Sequence, residues 1–197
     1  MTMCKNQITG VILAGGQSSR MGSDKGLVKL GEKFMFEHIA CQLAPQVSTL
    51  IISSNQNHAI YGKHYPVVTD TATGSLGPLA GMLAALQSSP TPWVACVPCD
   101  VPDLPDNLVK RLWQGKEQSL AVFASDEQRA HPTLCLLHQK LIPLLEQYLQ
   151  QGERKLMVFF QKVSAQKVLF QHTPRFSNLN TPEDVTLWLK AHGLSHG

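Results

Sequence analysis

Short apolar runs alternate with helix-length amphipathic segments along almost the whole chain, and this alternation restricts the fold more than any other feature. Runs that read as strands are Ile8–Leu13, Thr49–Ser53, Pro66–Thr69, Trp93–Val97, Leu120–Ala124, Thr133–Leu137 and Lys167–Phe170. Segments with helical periodicity are Phe34–Leu43, Leu79–Gln87, Asp106–Gln114, Leu141–Gln150, Lys155–Lys162 and Pro182–Ala191. Brief, partly β-branched apolar runs bounded by turn residues are the signature of buried strands. Strands separated by helices return in the same direction, so the pattern predicts an α/β fold with a mostly parallel central sheet covered on both faces, a three-layer, Rossmann-like arrangement. With 197 residues and 21.7 kDa the chain suits one domain with a sizeable core. In such sheets ligands bind beyond the carboxyl ends of the strands, near the point where strand order reverses.

The first strand candidate runs into "GVILAGGQSSRMGSDKG", Gly10 to Gly26. Glycines let backbone N–H groups approach an anion closely, and Arg20 and Lys25 supply positive charge against the single acid Asp24. The loop therefore reads as a phosphate-binding element, with a solvated surface loop as the alternative. It fits neither common phosphate motif. Lys25 stands between Asp24 and Gly26, so the Walker A pattern fails and a GTPase switch is disfavoured; Gly15, Gly16 and Gly22 do not make a dinucleotide fingerprint. The long spacing suits a loop wrapped over a nucleoside triphosphate.

Three strand candidates end in polar groups: "PVVTD" in Asp70, "WVACVPCD" in Asp100, and "TLIISSN" in Ser53, Ser54 and Asn55. Magnesium typically takes one or two carboxylates plus phosphate oxygens and waters, and Asp100, placed across from a phosphate loop, suits that role. Its alternative is a cap or turn residue in "DVPDLPD". "GPLAGMLAAL" offers a helix N-terminus whose free N–H groups could meet a base or phosphate, or a glycine (Gly81) for close packing on the sheet. Cys96 and Cys99 form a C-x-x-C, but no second cysteine pair exists and the motif lies inside a strand, so both read as small core residues. In "FSNLNTPEDV" Thr181 is a helix N-cap and Pro182 the first helical residue, while Asn178 and Asn180 share one side of an extended segment, facing a polar ligand or only local backbone. His131, in "RAHPT", reads as structural by itself, and "GERK", Gly152 to Lys155, as either a solvated face or an anion contact.

Composition narrows the classes further. A net charge of +3 suits anionic small molecules and falls well short of the basic stripe of a duplex nucleic-acid binder. No apolar run is long enough to span a bilayer, and no secretory h-region is present near the start. Five irregularly spaced cysteines give no disulfide framework, so the expectation is a cytoplasmic protein without membrane or nucleic-acid partners.

The glycine-rich stretch resembles the signature of pyrophosphorylase-type nucleotidyltransferases. Together with "GPLAGM", "CDVP", "HPT", "GERKLMVFF" and "NLNTPEDV", the ordered set is similar to the molybdenum cofactor guanylyltransferases of the MobA type, from about Ile8 to the last helix. The resemblance implies a nucleotidyltransferase fold and transfer of GMP from GTP to the phosphate of the molybdopterin cofactor, with Mg2+ and release of pyrophosphate. It implies nucleotide contacts from Leu13, Ala14 and Gly15 through backbone and phosphate contacts from Lys25 and Arg20. It further implies a nucleoside contact from Asp70 and a metal ligand in Asp100. Asn178 and Asn180 would line the pterin side, with His131 and Arg154 or Lys155 nearby. Residues 8–115 would then bind the nucleotide and 116–192 the pterin substrate. One position departs: the family carries Asn as a nucleoside contact where this chain has Ser53, with Asn55 close by. Other cofactor-biosynthesis proteins and acceptor molybdoenzymes are implied partners. Two other readings compete: a cytidylyltransferase of the same fold, and a non-catalytic molybdopterin carrier, which would need no metal carboxylate.

Overall fold

The computed structural model describes residues 5–14, 24–70, 77–171 and 176–195. In chain order they form β1 (Ile8–Leu13), β2 (Lys29–Leu30), β3 (Lys33–Phe34), α1 (Met35–Leu43), β4 (Thr49–Ser53), α2 (His58–Tyr61), β5 (Val67–Val68) and α3 (Pro78–Ser88). There follow β6 (Trp93–Pro98), α4 (Leu108–Gly115), β7 (Ala121–Ser125), β8 (Ala130–His138), α5 (Ile142–Gln150), α6 (Leu156–Lys162), β9 (Gln166–Leu169) and α7 (Pro182–Ala191).

Seven strands form one sheet in the order β5-β4-β1-β6-β8-β7-β9, and β2 pairs with β3 in a separate hairpin. β1 lies parallel to β4 and β6, β4 parallel to β5, and β7 parallel to β9. β8 alone runs the other way, antiparallel to both β6 and β7. The expected mostly parallel sheet is therefore present, with one reversed strand that the turn after β7 introduces. β1 begins a march outward to β4 and β5, and the chain then crosses back to lay β6 on its other side. The switch in strand order falls between β1 and β6.

Side-chain alternation along the strands builds two cores. Ile8, Ile12, Ile52 and Val97 face α1, α4 and α7, whereas Val11, Ile51, Val94 and Cys96 face α3, α5 and α6. Because both faces are covered, the central strands read as continuous apolar runs. β8 is longer than its sequence pattern suggests. Its register against β7 slips between Phe123 and Ala124, where Cys135 and then His131 are the partners, so Pro132 sits in a bulge and leaves no broken ladder bond. The four described cysteines are free; Cys96 and Cys99 are buried, as their core reading requires, and Cys135 is buried as well. Burial pushes the Cys99 thiol well above its usual range, which leaves it without thiolate character.

Candidate active site

β4, β1 and β6 end level with one another. Beyond the regular ladder, Ala14 N–H donates to the Ser53 carbonyl at 2.8 Å, and Cys99 N–H donates to the Leu13 carbonyl at 3.1 Å. Asp100 follows at the end of β6, at the switch point. The loop behind it is fastened from α1: Gln42 donates to the Pro102 carbonyl and accepts from Leu104 N–H at 2.8 Å. Gln46, at the end of the 3-10 turn that follows α1, donates to the Pro105 carbonyl at 2.9 Å and accepts from Val109 N–H at 3.0 Å. From the other side Trp188 of α7 donates to Asp103 at 2.9 Å. With the segment behind it secured by these five bonds, the Asp100 carboxylate is presented at a fixed place, and it caps no helix.

Two distant segments converge on that carboxylate. Lys25 Nζ lies 2.9 Å from Asp100 Oδ2, and Asn178 Nδ2 donates to Asp100 Oδ1 at 2.9 Å. Lys25 also donates to Asn180 Oδ1. Leu179, between the two asparagines, donates its N–H to the Asp100 carbonyl at 2.8 Å. The two-residue spacing of Asn178 and Asn180 thus does place both amides on one side, toward Asp100 and Lys25. A capping box fixes the segment that follows: Asp184 Oδ2 accepts from Asn180 N–H and Thr181 N–H at 2.9 Å each, and Thr181 Oγ1 accepts from Asp184 N–H at 3.1 Å. The Asn180 N–H bond, then those of Thr181 and the Lys25 charge, hold the Asp184 carboxyl below its usual range against the opposing effect of burial.

Lys25 itself starts a single turn of 3-10 helix, and Asp24 is its N-cap. Asp24 Oδ1 accepts from Gly26 N–H at 3.0 Å and from the Tyr61 hydroxyl at 2.8 Å, while Oδ2 accepts from Asn57 at 2.9 Å. Burial, then the Asp24 charge, pushes the Tyr61 hydroxyl far above its ordinary pKa, so it stays a donor. The one acid of the loop is thereby a structural anchor for Lys25.

Toward the β5 edge, Asp70 receives a brace: its N–H donates to Asn55 Oδ1 at 3.1 Å. Its own Oδ1 is buried and has no hydrogen-bond partner among the described residues. Such an orphaned acceptor calls for a donor from outside the described residues. Ser53 is buried against α3, where a Cβ at Gly81 would lie 2.7 Å from its Oγ, so the glycine lets helix and strand approach closely here. α3 enters through Gly77 at φ 68° with no side-chain cap.

Other sequence-derived candidates sit elsewhere. Gly15 and Arg20 lie outside the described residues. His131 is buried, its Nε2 is 2.7 Å from Asp126 Oδ2, and its ring packs edge-on against Phe176. Arg154 donates to the Leu149 and Glu153 carbonyls at the end of α5, and the Lys155 carbonyl accepts from the Tyr148 hydroxyl at 3.0 Å. Sequence reasoning missed Arg129, in the β7–β8 turn, whose Nη2 donates to Asn178 Oδ1 at 3.0 Å. The available signal was its place beside His131 at a turn on the same edge as Asp100.

A cation, a carboxylate and two amides thus meet at the switch point of a Rossmann-like sheet, the place where open α/β sheets bind their ligands. The model of the MobA-like NTP transferase domain matches residues 10–167, and the chain belongs to that family. Curated relatives named molybdenum cofactor guanylyltransferase, from Yersinia pestis (strain Pestoides F) and Yersinia pseudotuberculosis serotype IB (strain PB1/+), are each 52% identical over 184 residues, covering 92% of this chain and 94% of their own. Among solved structures, a molybdopterin-guanine dinucleotide biosynthesis protein A from Archaeoglobus fulgidus superposes with a TM-score of 0.74 at 20% identity, covering 94% of this chain and 98% of that one. A CMP:2-keto-3-deoxy-manno-octonic acid synthetase complexed with CTP gives 0.77 at 11% identity, covering 95% and 99%. These structural likenesses bear on the fold.

Proposed function

We propose that this protein is a molybdenum cofactor guanylyltransferase, which transfers GMP from GTP to the phosphate of the molybdopterin cofactor in the cytoplasm. The new bond joins an oxygen of the acceptor's phosphate monoester to the α-phosphorus of GTP. The bond from that phosphorus to its bridging oxygen breaks, and the oxygen leaves with the electron pair as pyrophosphate. No redox change occurs, and positioning and charge neutralisation account for the catalysis.

The observation that carries this reading is the Asp100 carboxylate at the switch point with the Lys25 ammonium on one oxygen and the Asn178 amide on the other. The substrates come from the names of relatives that share half of the sequence over nearly the whole chain. The residues fit a magnesium ion that comes with the nucleotide. Asp100 already pairs with a cation, and no group of three or more His, Cys, Asp or Glu among the described residues could hold a metal independently of substrate. Held by Asp100, the metal would neutralise charge developing on the phosphates. Lys25, beside Asp100 at the end of β6, would pair with phosphate oxygens of the nucleotide. Leu13 and Ala14 present backbone at the end of β1. Asp70, through its unpartnered Oδ1, accepts from the nucleoside. Residues 8–115 thus serve the nucleotide and 116–192 the acceptor, with Asn178 and Asn180 at the join. His131, tied to Asp126, supports the β7–β8 turn, and Lys155 and Arg154 flank α6.

The test is pyrophosphate release with Mg2+ and molybdopterin cofactor, offering GTP, CTP, ATP and UTP separately. Release with GTP alone is expected. Release with CTP moves the protein to a cytidylyltransferase. Absence of release with all four, from folded protein and active cofactor, overturns the reading in favour of a carrier.

A further inference from the structure

Arg129, joined to Asp100 through the Asn178 amide, has no acidic partner among the described residues. Lys25 is paired with Asp100, and Arg154 is spent on the carbonyls that end α5. Arg129 is exposed, and its guanidinium makes one hydrogen bond among the described residues, to the neutral amide oxygen of Asn178. A guanidinium offers five N–H donors in a planar fork that matches phosphate oxygens, so most of its capacity is uncommitted.

Its backbone, by contrast, is held firmly. Asp126 Oδ1 accepts from Gln128 N–H at 2.8 Å and from Arg129 N–H at 2.7 Å, and Asp126 N–H donates to the Arg129 carbonyl at 3.0 Å. The other Asp126 oxygen lies against His131, which is itself wedged on Phe176. A long cationic side chain anchored at its base and left largely unpaired at its tip is organised for an anion that no described residue supplies.

The position of Arg129 says which anion. Along the carboxyl-terminal edge of the sheet the residues follow strand order: Asp70 after β5, Ser53 in β4, Leu13 in β1, Asp100 after β6, and Arg129 in the turn that joins β7 to β8. Neighbouring strands lie about 4.8 Å apart. The nucleoside contact at Asp70 and the guanidinium at Arg129 therefore lie on opposite sides of Asp100. Since the nucleotide covers β5, β4 and β1, the acceptor has room over β8 and β7. There Arg129 is separated from the Asp100 carboxylate by a single side-chain amide, that of Asn178.

We infer that Arg129 binds the phosphate monoester of the acceptor and turns it toward the α-phosphorus. The inference rests on the guanylyltransferase reading above, and gives the acceptor's phosphate its own contact, distinct from the Lys25 contact to the nucleotide. In the ligand-free protein the bond to Asn178 parks the side chain at the edge of that position.

The test compares wild type with Arg129→Ala and Arg129→Lys, after thermal unfolding has shown all three folded. Equilibrium binding of Mg2+–GTP is measured first, then binding of molybdopterin cofactor without nucleotide, then steady-state transfer. Arg129→Ala is expected to leave GTP affinity within about twofold and to weaken cofactor binding, and raise its KM, by about tenfold to a hundredfold, the scale of a charge-assisted contact. Arg129→Lys is expected to recover part of that loss, because it restores the charge without the fork. A fall in kcat or GTP affinity with unchanged cofactor binding would show that Arg129 only orients Asn178, and would overturn the inference. Equal cofactor binding by all three proteins would overturn it too. Because cofactor binding is read without turnover, a wild type that binds cofactor yet transfers no GMP refutes the guanylyltransferase reading separately.

Discussion

Replacing Gly26 by Ala tests how Lys25 is held. An added Cβ would lie 2.3 Å from the Tyr61 hydroxyl oxygen and 3.3 Å from Tyr61 Cζ. Ordinary contact begins at 3.4 Å, so hydroxyl and loop must separate by about 1 Å. The ring cannot swing aside, because Tyr61 is fully buried and packs edge-on against Phe36 at 5.0 Å between centroids. Overpacking of this kind costs about 1–3 kcal/mol. Displacing the hydroxyl also breaks its 2.8 Å bond to the Asp24 carboxylate, and a hydrogen bond to a charged group contributes about 1.5–3 kcal/mol. The expected loss is about 3 kcal/mol, or a fall of roughly 6–12 °C in Tm for a chain of this size. Tyr61→Phe alone keeps two donors on Asp24 and should cost about 1–2 kcal/mol. In that background the nearest atoms to the new methyl are Cζ at 3.3 Å and Asp24 Oδ1 at 3.4 Å, so the second substitution should add less than about 1 kcal/mol. Urea unfolding of the two single variants and the double variant, followed by tryptophan fluorescence, gives the coupling directly. Additive losses, or Gly26→Ala within about 0.5 kcal/mol of wild type, would refute the clash as the reason for glycine here.

Asp100→Ala and Lys25→Ala should each lower turnover at least about a hundredfold, the scale for one key electrostatic group, and near-normal rates of pyrophosphate release in both would refute the mechanism. Gly81→Ala should destabilise through Ser53 Oγ at 2.7 Å, whereas in a Ser53→Ala background the nearest remaining atom is Leu13 Cδ2 at 3.4 Å and the same change should stabilise by about 0.5–1 kcal/mol through helix propensity; equal effects in both backgrounds in urea unfolding would remove Ser53 from the account. The Asp126 carboxyl is held down to about 2: burial opposes the charged form, but the Arg129 and Gln128 N–H groups and the His131 ring outweigh it. A folded pKa below the unfolded 3.8 means the unfolded chain binds more protons in that window, so this contribution is complete above pH 3.8 and lost as pH falls toward 2. Asp126→Asn should therefore lie below wild type in urea midpoint at pH 6 and converge with it near pH 2, and a gap that stays constant with pH would contradict the assignment.

What could be read from the sequence follows from how local its causes are. β1 and β4 appear with the boundaries their apolar runs suggest, and α7 begins where Thr181 and Pro182 mark a cap and first turn. Elements missed are those that the rest of the fold induces. The β2–β3 hairpin has two residues per strand, too few to show alternation, and α2 is a single turn entered through Asn57 at φ 53°. β8 reaches beyond its apolar run because a bulge absorbs Pro132. At the site, Asp100 and Lys25 could be named because their residue types and strand-end positions carry chemistry. Which of these groups would pair could not be read, since Lys25 meets Asp100 across 75 positions and Asn180 across 155. Arg129 was passed over for its neighbour His131, although in the structure the histidine turns back to Asp126 and the arginine reaches Asn178.

The same long-range bonds explain why one helix at the end of the chain matters to chemistry built on the first loop. α7 contributes nothing to the reacting groups, yet Asp184 at its N-terminus fixes the backbone of Asn180, and Trp188 and His192 on its inner face both contact Asp103 in the loop behind Asp100. Lys25 and Asp100 each accordingly have a neighbour that this helix positions. The helix is in turn docked by Val185, Trp188 and Leu189 on the core that α1 shares, and α1 with the 3-10 turn that follows it supplies the glutamines that fasten the Asp100 loop from the opposite side. Displacing α7 would therefore cost the loop its bonds to Trp188 and His192, while Gln42 and Gln46 would still hold its other side. The carboxylate would lose precision before the domain lost its fold, since the two glutamine braces and the sheet ladder do not depend on α7.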